Sequence, residues 1–116
     1  MKLTPFHIAI PVRDIPESRH FYSTILECEE GRSDETWVDF NFFGHQFVCH
    51  LNPNIGKNGK IESHHNPVDG HGVPVPHYGV VLEMEQWETL AAKLKQHEIV
   101  FIIKPYIRFK GQTGEQ

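Results

Sequence analysis

The stretch His7-Ile8-Ala9-Ile10-Pro11-Val12 is matched 70 residues further along the chain by His77-Tyr78-Gly79-Val80-Val81-Leu82. Each stretch places a histidine before a bulky residue, a small residue and an apolar run. Neither stretch alternates strictly between polar and apolar positions, so each predicts a strand that is buried on both faces. A match of this kind at a fixed offset predicts two copies of one structural unit.

A helical pattern follows each of the two predicted strands. Asp14 is the predicted N-cap of the first helix, with Pro16 in the first turn and Glu17 at the third helical position. The second helix is predicted to begin in the acidic stretch 83–88, whose charge suits the positive end of a helix. Apolar residues at helical spacing begin at Trp87 and give this helix one apolar face.

Further strands are predicted after each helix. In the first half these are a short edge strand near 29–32 and two longer strands over 36–43 and 45–51, which meet at a turn. In the second half a single strand is predicted over 99–103. The first half therefore has the predicted order β-α-β-β-β, whereas the second half stops after β-α-β.

These patterns predict an α+β fold made of two β-α-β-β-β modules within a single domain that covers residues 1–116. Module 1 is predicted over about 1–52 and module 2 over about 77–116. The polar segment between them, about 53–76, is rich in Gly and Pro and predicts a linker. Module 2 is predicted to be incomplete at its C-terminus, because its last two strands are missing before Gln116.

The composition excludes several classes of function. The 116-residue chain has a net charge of -4, and its one basic cluster, Arg108 and Lys110, is too small for a nucleic-acid surface. No apolar run approaches the roughly 20 residues that cross a bilayer, and the N-terminal stretch does not resemble a signal peptide. Cys28 and Cys49 are too few for a disulfide framework, so we expect a cytoplasmic protein with free thiols.

Histidine is the unusual residue, with nine copies in the chain. His7 and His77 begin equivalent strands, so we expect their imidazoles to face each other and to bind Zn, Fe, Ni or Cu. The alternative is a pair of hydrogen-bonded histidines at a site that has lost its metal. Asp39 and Glu115 are the candidates for a carboxylate ligand within the chain. Glu83 is excluded because six strand residues, roughly 20 Å, separate it from His77.

His50 is the predicted catalytic residue. It shares strand parity with Gln46 and Val48, whereas Phe47 and Leu51 take the opposite, apolar face. We expect the apolar face to meet the helices, which would turn His50 into the pocket. Three roles stay open there: a metal ligand, a general acid or base, and a polar wall of the pocket.

Four segments in this order resemble a known family. They are Phe6-His7-Ile8-Ala9-Ile10-Pro11-Val12, Ser18-Arg19-His20-Phe21-Tyr22, Pro76-His77-Tyr78-Gly79-Val80-Val81, and the tail 105–116. The set resembles the vicinal oxygen chelate superfamily, which includes glyoxalase I, bleomycin-resistance proteins, fosfomycin-resistance enzymes and extradiol ring-cleaving dioxygenases.

The resemblance implies that two modules form an open, mixed-sheet barrel around a divalent metal ion. It assigns His7 to the ligand on the first strand and His77 to the ligand that opens the second module. A glutamate on the final strand would be the third ligand, and that strand is expected beyond Gln116. His50 occupies the place where glyoxalase I enzymes carry a further glutamate, which departs from that branch. Members of the family pair modules across subunits, so the resemblance also implies a homodimer.

The predicted function is that of a metal-dependent enzyme, a dioxygenase or a lyase, with a leaning to dioxygenase-like chemistry. Its small substrate would chelate the metal through neighbouring oxygens, and Fe²⁺ is favoured over Mn²⁺, Ni²⁺ or Zn²⁺. Two alternatives stay open. One is a protein that sequesters a small molecule such as an antibiotic without catalysis. The other is a glyoxalase-like lyase or a thiol transferase, for which Arg108 and Lys110 would supply a cationic pocket.

Overall fold

The computed structural model describes residues 2–116, and the chain divides into two compact units, Met1–Glu62 and Ser63–Gln116. The first unit contains, in order, β1 (His7–Val12), α1 (Ile15–Arg19) with a π-helical continuation (His20–Ile25), β2 (Glu29–Asp34), β3 (Trp37–Phe42) and β4 (His45–Leu51). The second unit contains β5 (His64–Val68), β6 (His71–Val75) and α2 (Met84–Gln96). The predicted α+β class is confirmed.

The sheet of the first unit has the strand order β1-β4-β3-β2. β1 lies parallel to β4, whereas β3 is antiparallel to both of its neighbours. The sheet is therefore mixed and open, as predicted, and β2 is an edge strand. The β-α-β-β-β order expected for the first half is present in full.

The first helix begins where its capping residues predict. The Asp14 side chain accepts a hydrogen bond from the Glu17 backbone N–H at 2.8 Å, and Pro16 lies in the first turn. The Glu17 carboxylate pairs with Arg13 at 2.8 Å, so it does not return to the cap as a capping box would require. The π-helical continuation then carries the chain towards β2.

The core lies between this helix and one face of the sheet. Val38, Phe40, Phe47 and Cys49 are the largest fully buried side chains. The Tyr22 ring packs across them, with its centroid 4.7 Å from that of Phe47 and 5.4 Å from that of Phe40. Every residue that is buried in the described part of the chain belongs to the first unit. The described core is therefore confined to the first unit, and aromatic rings form a large part of it.

Burial raises the pKa of the Cys49 thiol to about 12, from an ordinary value of 9.0. The unfolded chain releases this proton at lower pH than the folded chain does. The free energy of unfolding is therefore expected to be unaffected by Cys49 below pH 9 and to fall above it, by up to about 1.4 kcal/mol per pH unit, until pH 12.

Urea unfolding at pH 8 and pH 10.5 measures this effect, and Cys49→Ala is the comparison. The variant should lose less stability over this range than the original chain, because other alkaline titrations are common to both. An equal loss in both proteins would show that the buried thiol does not contribute.

The second unit differs from its prediction in the segment 53–76, which was expected to be a linker. β5 and β6 form a two-stranded antiparallel hairpin there. Asp69 and Gly70 form the two-residue turn, with φ angles of 50° and 78°. Positive φ at both central residues is what a type I′ hairpin turn requires, and Asp-Gly is a preferred pair for it.

The strands predicted over 77–82 and 99–103 are also wrong. Both segments lack strand pairing in the described residues. Val81 is fully exposed and Val100 is 93% exposed, and the other apolar residues of these runs are at most half-buried. An apolar run predicts a buried strand only where a sheet provides neighbours for it. The second unit is thus a hairpin followed by a helix.

The second helix forms close to its predicted place, with Glu83 as the N-cap residue. Its apolar face, which includes Trp87, Leu90 and Leu94, is half-buried. Neither this helix nor any other in residues 2–116 combines the length and the apolar character needed to cross a membrane.

Candidate functional site

The sheet of the first unit has one face against the core and one opposite face, which we call the polar face. The residues of the polar face that carry functional groups are His7, Trp37, Asp39, Asn41, Gln46 and His50. Strand pairing defines this set, because residues in register on neighbouring strands point to the same side of a sheet. His50 is exposed while Phe47 and Cys49 are buried, so His50 points away from the helix, as its parity predicts.

The polar face is arranged in rows across the strands. His7 lies beside Gln46, which in turn pairs with Asn41. Two residues further along, Asp39 occupies the middle row. The last row pairs His50 with Trp37. His7 and His50 are thus four residues apart along parallel strands, roughly 13 Å, which is too far for both to bind one ion.

The two histidines predicted as metal ligands lie in different units. The exposed His7 begins β1 in the first unit, and the exposed His77 follows β6 in the second. Nδ1 of His77 lies 2.7 Å from the carbonyl oxygen of Pro74. A carbonyl oxygen only accepts, so Nδ1 is the donor in this contact, and in the neutral ring Nε2 is then the nitrogen that can bind a metal. The convergence of His7 and His77 stays a prediction.

The two candidate carboxylate ligands, Asp39 and Glu115, lie in different units. Asp39 shares the polar face with the histidines but lies two strands away from His7. Glu115 accepts a hydrogen bond from the Gly111 backbone N–H at 2.7 Å and lies in a region of turns. Within residues 2–116, no group of three or more His, Cys, Asp or Glu side chains could hold a metal ion.

Other histidines are occupied by local contacts. Nδ1 of His45 accepts a hydrogen bond from the Phe6 backbone N–H at 3.0 Å, and the two rings stack at 4.1 Å. His71 packs against Tyr106 with ring centroids 5.1 Å apart. These contacts support a structural role for both histidines.

A groove of about 380 Å³ opens on the polar face, where Gln46, the strand neighbour of His7, lines it. Its polar lining consists of Arg32, Asp39, Asn41, His45 and Gln46. The groove offers one guanidinium, one carboxylate and two amides, a set that can bind a small polar molecule. Our reading of the sequence assigned no role to Arg32, Asn41 or Gln46. Alternation along β3 and β4 was sufficient to place Asn41 and Gln46 on the same face as His7.

Comparison with known proteins agrees with this architecture. The model of the Glyoxalase/Bleomycin resistance protein/Dioxygenase superfamily matches residues 4–113. Among solved structures, a glyoxalase/bleomycin resistance protein/dioxygenase from Alicyclobacillus acidocaldarius is similar, with a TM-score of 0.69 and 30% sequence identity. The match covers 97% of this chain and 76% of that one. No curated protein gives a significant match.

The chain is a mixed α+β protein with an open four-stranded sheet, and the similar solved structure shares this fold. The chain belongs to the glyoxalase/bleomycin resistance protein/dioxygenase superfamily. The resemblance seen in the sequence is therefore confirmed at the level of the superfamily.

Proposed function

We propose that the chain is a metal-dependent enzyme of the glyoxalase or dioxygenase type, with His7 and His77 as ligands of one divalent ion. Fe²⁺ is the favoured ion, and Mn²⁺, Ni²⁺ and Zn²⁺ are the alternatives. The observation that carries the proposal is the contact between Nδ1 of His77 and the Pro74 carbonyl. A backbone carbonyl that fixes one ring nitrogen and frees the other is the usual support of a metal-binding histidine.

The surroundings of His7 fit the same role. Its side chain is exposed, and its strand neighbour Gln46 lines the groove. None of the hydrogen bonds among the described residues involves the His7 ring. His45, by contrast, has one ring nitrogen bonded and its ring stacked. Imidazole nitrogens are suitable ligands for Fe, Ni and Zn. A bound ion would act as a Lewis acid and template for two neighbouring oxygens of a small substrate.

His50 is proposed as the general acid or base. It is exposed on the polar face, and imidazole can take up or release a proton near neutral pH. Its cross-strand partner Trp37 provides an aromatic surface beside it. A planar substrate that contacts Trp37 would therefore present its edge to the His50 ring. The distance from His7 leaves room for a substrate between the two histidines.

Metal analysis of protein purified without chelators tests the proposal, followed by an activity screen with catechols and hemithioacetals. We expect a bound divalent ion and turnover of one of the two substrate types. Protein that binds none of the four ions under saturating conditions would contradict the proposal.

We also propose a homodimer in the cytoplasm. The second unit exposes Val81, Val100 and Ile102, the last at 78%, and holds none of the buried residues. These side chains support the proposal, because contiguous exposed apolar surface is typical of an interface between subunits. Sedimentation velocity over a range of protein concentrations should show a dimer, and Ile102→Asp with Val100→Asp should shift it to a monomer. A monomer at every concentration would contradict this part of the proposal.

The alternative function is sequestration of a small molecule without catalysis. A cleft of about 700 Å³ in the second unit, lined in part by Met84, Trp87 and Tyr106, favours it. Ligand binding that persists in metal-free protein without any turnover would support this alternative. A thiol transferase is less well supported, because Nε of Arg108 is paired with Asp69 at 2.7 Å and this carboxylate balances its charge.

A further inference from the structure

Strand pairing between β2 and β3 contains a β-bulge. Glu30 pairs with Phe40 and Ser33 pairs with Val38, so Gly31 and Arg32 both lie opposite Asp39. A bulge places two residues of one strand against one residue of its partner and redirects a side chain. Gly31 faces Asp39 closely, since a Cβ added at Gly31 would lie 3.4 Å from that of Asp39.

The bulge directs Arg32 to the polar face. Its guanidinium carbon lies 5.8 Å from the centre of the Trp37 ring, and Arg32 lines the groove of the polar face. An arginine over an aromatic ring keeps its fork of N–H donors free for a further partner, because the ring contacts only the flat face. Arg32 is thus held in place without losing its hydrogen-bonding capacity.

The other arginines of the chain each have a carboxylate partner. Arg13 pairs with Glu17, Arg19 with Glu30 and Arg108 with Asp69, all at 2.7–2.8 Å. Arg32 differs from them, because no carboxylate of residues 2–116 forms an ion pair with it. An arginine that is positioned by a bulge and a ring, yet unpaired beside a groove, is suited to an anionic ligand.

We propose that Arg32 is a binding residue for the carboxylate of a small organic acid in the groove of the polar face. This inference rests on the proposed function and adds the chemical class of its substrate. The flat guanidinium fork matches the two oxygens of a carboxylate. Trp37 supports the planar part of the acid, and the amides of Asn41 and Gln46 provide further hydrogen bonds.

The charge of the groove restricts the ligand further. Asp39 lines it together with Arg32, so the groove holds one carboxylate for its one guanidinium. A dianion such as a phosphate monoester costs more to remove from water than a carboxylate does, and the groove offers it only one cation, whose charge Asp39 balances. A monoanion with a hydroxyl or amino group fits better, because Asp39 can accept a hydrogen bond from that group.

Fluorescence of Trp37 provides the test. The chain has two tryptophans, so Trp87→Phe leaves Trp37 as the sole reporter. This protein is titrated with benzoate and with benzamide, which have the same shape but differ in charge, in buffer freed of metal by a chelator. We expect benzoate to change the Trp37 emission saturably, and benzamide to bind about tenfold more weakly, the usual effect of a charge-assisted hydrogen bond.

Arg32→Gln should weaken benzoate binding by about tenfold or more, and Arg32→Lys should recover part of it because the charge remains. Lys57→Gln removes the same charge from an exposed loop of the first unit and should change nothing. Circular dichroism confirms the fold of each variant. Equal binding of benzoate and benzamide, or unchanged binding in Arg32→Gln, would overturn the inference. Tighter binding of phenyl phosphate than of benzoate would overturn the assignment to a carboxylate.

The outcome is independent of the metal site. Benzoate binding without any metal uptake would leave the Arg32 site standing and remove the proposed enzyme. Metal uptake without benzoate binding would remove the Arg32 site alone.

Discussion

Replacing His7 or His77 by alanine is expected to lower metal affinity by about 100-fold or more while the fold is preserved. Loss of even a supporting group around a metal typically costs 10- to 100-fold, and loss of a direct ligand costs more. Both side chains are exposed, so neither replacement leaves a cavity. The free energy of unfolding should change by no more than about 0.5 kcal/mol.

The measurement is metal content after dialysis against a fixed concentration of free ion, together with circular dichroism. His20→Ala in the first unit and His97→Ala in the second are matched controls, because both histidines are exposed. The controls should retain the metal. Full metal content in either His7→Ala or His77→Ala would remove that residue from the site, and loss in the controls would indicate non-specific binding.

Phe47→Ala is expected to lower the free energy of unfolding by about 3–5 kcal/mol. Phe47 is completely buried, and its ring packs within 4.7 Å of Tyr22 and 5.4 Å of Phe42. The replacement removes most of this apolar contact and leaves a cavity that three neighbouring rings cannot fill. The chain has few other buried side chains to compensate, so many molecules would be unfolded at 37 °C.

Urea unfolding measured by circular dichroism gives the size of this effect. Phe43→Ala is the matched control, because Phe43 is 43% exposed and lies at the nearby turn. It should lose less than about 1 kcal/mol, since little of its surface is removed from water. Similar losses in the two variants would show that the core does not depend on Phe47.

The first unit follows its sequence closely because local signals agree there. Asp14 caps the helix that its position predicts, and alternation along β4 separates His50 from Phe47. The second unit does not follow its sequence in the same way. Its two apolar runs predict strands, but a strand forms only where other strands pair with it, and the described residues provide none for these runs. The Asp69-Gly70 pair was the usable signal for the hairpin, but the prolines on both sides argued against strands.

The candidate site likewise contains residues that the sequence pattern places correctly and one residue that it does not. Alternation predicts that His50 and Gln46 share a face, and the strand register agrees. The same rule places Arg32 on the side of Glu30, which faces the helix through its ion pair with Arg19. The bulge at Gly31 shifts that alternation by one residue. A glycine inside a strand is a signal of such a bulge, but it does not give the strand register. Arg32 was therefore missed until strand pairing was known.

The confinement of all described buried side chains to the first unit has a consequence for how the chain opens. Backbone amides in β3 and β4 are protected by the core, so they exchange with solvent only when the whole unit unfolds. Amides of the hairpin and of α2 lack such cover and open in smaller, more frequent events. His77 lies in this second region, so any ion that it helps to bind must first select molecules in which the hairpin is closed. Slow hydrogen exchange there would then be a property of the liganded protein rather than of the chain alone.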